Sequence, residues 1–290
     1  MINAKIKLNP KIFDDVPDMA PLRAGFGEGL VEAARADKNV VGLCADLTNS
    51  TRMDAFRKEF PERFVEMGVA EQNLAVVASG MAAMGKVPFI TSYAMFSPGR
   101  NWEQIRTTIC YNDRPVKIVG SHAGISVGPD GGTHQAIEDM TIMRVIPRMV
   151  VIAPCDSVEA KKATLAMAKN DSPTYLRLAR EKTPIMTTEE TPFAIWKSYE
   201  MWRSANPQVA LIGCGPLLHN ALKAAKKLGE EGIGSVVLNA HTVKPLDENA
   251  IIALAKETGA VVTIEEHQIA GGFGSAVAEV LAEEKLDVKF

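Results

Sequence analysis

The sequence predicts an α/β protein of two domains built on parallel sheets, and three observations carry that expectation. Short apolar runs rich in β-branched residues recur along the 290 residues, stretches with a helical apolar period separate most of them, and the alternation pauses once, between Lys182 and Pro207. Strands alternating with helices imply parallel pairing with helices on both faces of a sheet.

Residues 1–19 alternate Lys, Asp and Pro with single apolar residues and are expected to form an N-terminal arm; they lack the apolar stretch and small-residue cleavage site of a secretory leader. Residues 20–185 form the first domain. Its opening stretch holds Gly25-Phe26-Gly27-Glu28-Gly29 inside a helical pattern. Strands are expected at Val40–Cys44, Val87–Ile90, Val116–Val119, Met149–Ala153 and Tyr175–Leu178, with helices at Glu71–Met84, Asn101–Tyr111 and Ser157–Ala168. The breakers Thr183-Pro184, Thr191-Pro192 and Asn206-Pro207 mark a linker over 186–207. The smaller second domain, 208–290, repeats the pattern with strands Val209–Ile212, Ser235–Leu238 and Val261–Ile264 and helices Leu217–Gly229, Glu248–Thr258 and Ser275–Lys285. Only Leu286 to Phe290 follow, so a final strand is expected to be cut short.

With 32 basic and 35 acidic residues the net charge is −3, which offers no broad attraction to nucleic acid or to an anionic membrane. An anionic ligand must therefore be held by a few placed residues. The four cysteines lie far apart with no C-x-x-C pair, which suits a reducing, cytoplasmic setting. No run approaches the roughly 20 apolar residues of a membrane span.

Gly213-Cys214-Gly215 stands between a strand and a helix, but Leu218 occupies the third glycine position of a dinucleotide fingerprint, so a tight turn is expected there. The loop after strand Val116–Val119 differs. It carries His122, Gly128, Asp130, Gly131, Gly132, Thr133 and His134 at the carboxyl end of a parallel strand, where open α/β sheets bind ligands. A metal triad of His122, Asp130 and His134 lacks helical i, i+4 spacing and a nearby thiolate. Recognition of a hydroxylated substrate suits these residues better, since they exchange donor and acceptor roles; an Asp/Gly turn with incidental histidines is the alternative. Glu71 opens an otherwise apolar helix, either as an acid answering the helix dipole or as a functional group.

Taken in order, Ala45-Asp46-Leu47-Thr48-x-Ser50, Gly68-Val69-Ala70-Glu71-Gln72, Tyr93-x-x-Phe96 and Gly128-x-Asp130-Gly131-x-Thr133-His134-Gln135 resemble the thiamine diphosphate enzymes of the transketolase family. Val243-Lys244-Pro245-Leu246-Asp247 and Glu265-Glu266-His267-x-x-x-Gly271-Gly272-Phe273-Gly274 are similar to that family's C-terminal domain. The resemblance covers nearly everything after about residue 20 and implies a pyrimidine-binding domain followed by a transketolase C-terminal domain. The family's Gly-Asp-Gly…Asn motif, which holds the diphosphate and its Mg²⁺, is not found in these residues. The chain thus resembles the C-terminal subunit of a split transketolase, expected in an α₂β₂ assembly with an N-terminal subunit that carries the Mg²⁺ (or Ca²⁺).

The resemblance also implies roles. Glu71 would hydrogen-bond N1′ of the aminopyrimidine, Tyr93 and Phe96 would wall that ring, and Asp46 would lie near the cofactor. The family usually offers a third aromatic three residues after the second, where Gly99 stands. Arg23, Ser50, His122 and Arg180 would grip a sugar phosphate, and Asp130 and His134 would read its hydroxyls. Arg23 can equally be a lone cation opening a helix. The activity implied is transfer of a two-carbon ketol unit between sugar phosphates in pentose phosphate metabolism, with no metal ligated by this chain. A 1-deoxyxylulose-5-phosphate synthase-like enzyme, a 2-oxo acid dehydrogenase β-like subunit and a non-catalytic assembly subunit are the alternatives.

Overall fold

The computed structural model describes residues 1–290. The first unit runs β1 (Met19–Pro21), α1 (Leu22–Ala36), β2 (Val40–Cys44), α2 (Asp54–Glu59), β3 (Phe64–Glu66), α3 (Glu71–Ala83) and β4 (Val87–Tyr93). It continues through α4 (Trp102–Gln104), β5 (Lys117–Ala123), α5 (Asp139–Arg144), β6 (Val150–Ile152), α6 (Ser157–Ala168), β7 (Thr174–Ala179) and β8 (Lys182–Pro184). The second unit holds β9 (Tyr199–Arg203), β10 (Val209–Gly213), α7 (Leu218–Glu230), β11 (Ser235–Asn239), β12 (Thr242–Lys244), α8 (Glu248–Thr258), β13 (Val261–Ile264) and α9 (Phe273–Glu283).

The larger sheet has the order β12-β6-β7-β5-β4-β2-β3 and is parallel except for its edge strand β12. Strands β2, β5, β6 and β7 are buried along their whole length, which is why β2 and β6 read as continuous apolar runs without alternation. The smaller sheet has the order β13-β10-β11-β9, with β9 antiparallel to β11.

Three expectations need correction. The stretch 186–207 is not all linker, because Tyr199–Arg203 forms β9; Tyr-Glu-Met-Trp-Arg has no β-branched residue and only Met201 is buried, so its pattern is faint. The helix expected over Asn101–Tyr111 is one α-helical turn followed by a π-helical segment, Ile105–Cys110. The boundary in sequence is also not a boundary between sheets, since β12 of the second unit pairs with β6 of the first. One core cluster accordingly joins Leu74, Ile90 and Ile118 to Ile212, Phe273 and Val277.

The N-terminal arm lies on the second unit, with Ile12 fully buried among Met201, Leu211 and Leu218. At the other end Lys289 makes a single parallel bridge to Ala260. No helix is long and apolar enough to cross a membrane.

The glycines of α1 have a packing explanation. A Cβ on Gly25 would lie 1.7 Å from the carbonyl oxygen of Ser157, and one on Gly29 would lie 2.9 Å from that of Lys161. Helices α1 and α6 therefore touch backbone to backbone, and this closeness seats the first turn of α1, with Arg23, beside the sheet.

Candidate functional site

Four adjacent parallel strands deliver their carboxyl ends to one edge of the sheet. Asp46 follows β2, Tyr93 ends β4, His122 lies near the end of β5 and Arg180 follows β7. Helix α1 adds Arg23 and α3 adds Glu71, each within its first turn. The register of β5 against β7 shifts between Gly120 and Ala123, and His122 takes a φ of +59° inside that irregularity. Such a conformation is uncommon for a residue with a side chain and re-aims the imidazole out of the strand's alternation.

His122 is buried, with its Nε2 2.9 Å from Nη1 of Arg23 and its Nδ1 2.8 Å from Oγ of Ser121. A guanidinium can only donate, so Nε2 accepts and Nδ1 carries the proton. Burial first, then the charges of Arg23, Arg180 and His134, push the imidazole's pKa down to about 3. The ring is therefore neutral at physiological pH. Arg23 also donates to the Ser50 carbonyl at 3.3 Å, while its buried Nε has no partner. Burial, Arg52 and Arg180 lower its own pKa. Arg23 thus sits in a positive field and keeps one buried donor unused.

The rings continue this array. Tyr93 stacks on His122 with centroids 3.8 Å apart at 25°, and Phe96 lies 6.2 Å from Tyr93 at 17°. His134 meets Phe96 edge-on at 5.3 Å. The Arg100 guanidinium lies 4.5 Å from the Phe96 centroid and places Nη1 3.4 Å from Oε2 of Glu71. Glu71 is only 4% exposed, yet its Oε1 makes no hydrogen bond within the chain, and the residue lines a cavity of about 410 Å³ with Gln72, Asn73 and Arg100. A buried carboxylate with one oxygen free, next to an aromatic wall, fits an aminopyrimidine that donates a hydrogen bond. The unpaired donor on Arg23 fits an anionic group.

Glu71, through Arg100, is thus linked contact by contact to Phe96, Tyr93, His134, His122, Arg23 and Ser50. Arg180 pairs with Glu181 and lies beside Gly128, where an added Cβ would sit 2.6 Å from its guanidinium. Two expected residues stand apart. Asp130 is exposed in the turn Gly128–Asp130 with no side-chain hydrogen bond. Asp46 is exposed at a φ of +58° and lines a separate cavity with Ser50, Arg57 and Glu66. No group of three or more His, Cys, Asp or Glu side chains is arranged to hold a metal ion.

Sequence reasoning missed Arg100, Arg52 and Glu66. Arg100 bridges Glu71 and Phe96; its signal was the four-residue spacing from Phe96. Gly99 has its own cause, because a Cβ there would lie 1.8 Å from the Met95 carbonyl oxygen. Glu66 accepts from the amides of Asp46 at 2.8 Å and Gly68 at 3.1 Å and from the Thr48 hydroxyl at 2.9 Å, joining the loop after β2 to the segment that leads into Glu71.

The sequence model of the transketolase pyrimidine-binding domain matches residues 18–186, and that of the transketolase C-terminal domain matches residues 199–290. A Methanocaldococcus jannaschii protein named for the transketolase C-terminal section is 44% identical over 92% of this chain and 84% of its own length. A 6-deoxy-6-sulfo-D-fructose transketolase subunit of Clostridium sp. is 40% identical over 90% of this chain and 81% of its own. A solved split-gene transketolase, described as an inactive beta4 tetramer, superposes with a TM-score of 0.86 at 40% identity, covering 93% of this chain and 87% of that one.

Proposed function

This chain belongs to the transketolase family as a C-terminal transketolase-type subunit, and from that premise we propose that it is half of a two-chain enzyme moving a two-carbon ketol unit from a ketose phosphate to an aldose phosphate. The family is thiamine diphosphate-dependent. The observation that carries the reading is the unbroken array from Glu71 through Arg100, Phe96, Tyr93 and His122 to Arg23 along one edge of the sheet.

When bound, the cofactor supplies an electron sink for breaking a carbon–carbon bond next to a carbonyl. The free oxygen of Glu71 would hold a proton at N1′ of the aminopyrimidine, and Tyr93 and Phe96 would keep water from one side of the ring. Asp46 would lie near the cofactor in this reading. His122, neutral and with both ring nitrogens already paired to Arg23 and Ser121, would orient Arg23, which with Ser50 and Arg180 would take the phosphate. His134 and Asp130 would read hydroxyls. The Mg²⁺ and diphosphate would be held by an N-terminal partner in an α₂β₂ assembly; that the enzyme is made of more than one chain is supported by the relatives' names as section and subunit.

A donor panel tests the reaction. With partner, Mg²⁺ and thiamine diphosphate present, xylulose 5-phosphate should release glyceraldehyde 3-phosphate over repeated turnovers only when an aldose phosphate acceptor is added. The Clostridium relative's name makes 6-deoxy-6-sulfofructose the second donor to try. Consumption of pyruvate together with glyceraldehyde 3-phosphate, and no ketol transfer, would instead favour the deoxyxylulose phosphate synthase reading.

A further inference from the structure

The loop carrying Asp130 and His134 is an arc whose two feet meet. Gly124 donates its amide to the Ala136 carbonyl at 2.8 Å, and the Gln135 side chain donates to the Ile125 carbonyl at 3.0 Å. Both feet are also tied to one residue of the second unit. The Glu266 carboxylate accepts the Ser126 amide at 2.8 Å, while Arg177 donates through Nη2 to the Ala136 carbonyl at 3.3 Å and to the Glu266 carbonyl at 2.8 Å. Gly124 leaves room for this approach: a Cβ there would lie 2.4 Å from the Glu266 carboxyl carbon. Just beyond, Gln268 donates its amide to the Ile137 carbonyl at 3.0 Å.

We propose that Glu266 is a positioning residue, through which the C-terminal domain holds the substrate-reading arc 124–137 in its working shape. The inference rests on the ketol-transfer reading, because the arc matters only if His134 and Asp130 meet the sugar. A carboxylate accepting a backbone amide is the stronger, charge-assisted kind of hydrogen bond, and its loss frees a foot of the arc. Arg177 itself is anchored elsewhere, on buried Asp139 at 2.9 Å, so removing the Glu266 side chain leaves the other foot and the contact between domains in place.

The test compares wild type, Glu266→Ala and Glu266→Gln in the complex with the N-terminal partner, by amide hydrogen exchange without substrate and by steady-state kinetics. The alanine variant should raise exchange within 124–137, and not elsewhere, and raise KM for the ketose phosphate about tenfold with a smaller change in kcat. Glutamine should restore most of both, since its amide oxygen still accepts from Ser126. Unchanged exchange in the arc, exchange rising equally across both domains, or glutamine as damaging as alanine would overturn the proposal. If the wild-type complex transfers no ketol unit, the ketol-transfer reading fails, and the exchange pattern alone decides whether Glu266 is the tether.

Discussion

Nη1 of Arg23 and Nε2 of His122 meet at 2.9 Å, and because the guanidinium cannot accept, the imidazole is held neutral with its proton on Nδ1. An expected pH response follows. The folded pKa of about 3 lies below the ordinary value of 6.5, so between those values the unfolded chain binds a proton that the folded chain refuses. Stability contributed by neutral His122 is complete above about pH 6.5 and is lost as pH falls toward 3. Imidazole nitrogen shifts in ¹⁵N NMR should report the Nδ1–H tautomer unchanged down to about pH 4; titration near pH 6 would contradict the buried, arginine-facing placement.

Glu71 has one oxygen free and a weak link to an exposed arginine, so its removal should cost function and little stability. Glu71→Ala is expected to lower turnover of the assembled enzyme by about 10²–10⁴-fold, the range of a positioned proton-transfer group. The unfolding midpoint should barely move, since Asn101 still donates to the position-71 carbonyl at 3.0 Å. Retained activity would remove Glu71 from the mechanism.

The turn at Gly99 leaves no room for the aromatic that the family resemblance implies there, and introducing one should harm the protein. The side chain of Gly99→Phe would enter at the Met95 carbonyl, opening the turn that aims Phe96 and Arg100. Cofactor affinity of the complex, followed by calorimetry, is expected to fall. A gain in affinity would show that the turn yields.

Gly25→Ala tests the backbone contact between α1 and α6. Overpacking in a closed site costs about 1–3 kcal/mol, and a Cβ 1.7 Å from a carbonyl oxygen places this change at the upper end or beyond. Gly80→Ala in α3 is the control, because nothing lies within 4 Å of its Cβ position. It should stabilise the isolated chain by about 0.5–1 kcal/mol. Urea denaturation of both variants decides the point.

The central parallel strands were legible because burial on both faces makes them continuous apolar runs, as in Val40–Cys44. Elements whose residues are mostly half-exposed were not, β9 foremost, nor was β12, a three-residue strand whose place depends on a partner far away in sequence. In the site, Glu71, Tyr93 and His122 were visible through their motifs. The bridging role of Arg100 was not, because it arises from a turn that brings residues 71, 96 and 100 together in space. Gly25-x-Gly27-x-Gly29 reads from sequence only as glycines inside a helical pattern, whereas the close approach they allow depends on the neighbouring helix.

In the proposed function this chain supplies one wall of a shared active site. Ketol transfer from xylulose 5-phosphate to ribose 5-phosphate should be measured for this chain alone, for its N-terminal partner alone and for the two mixed, each with Mg²⁺ and thiamine diphosphate. The mixture is expected to release glyceraldehyde 3-phosphate, and each chain alone none. Release by this chain alone, or none from a stable mixture of the two, would contradict the account.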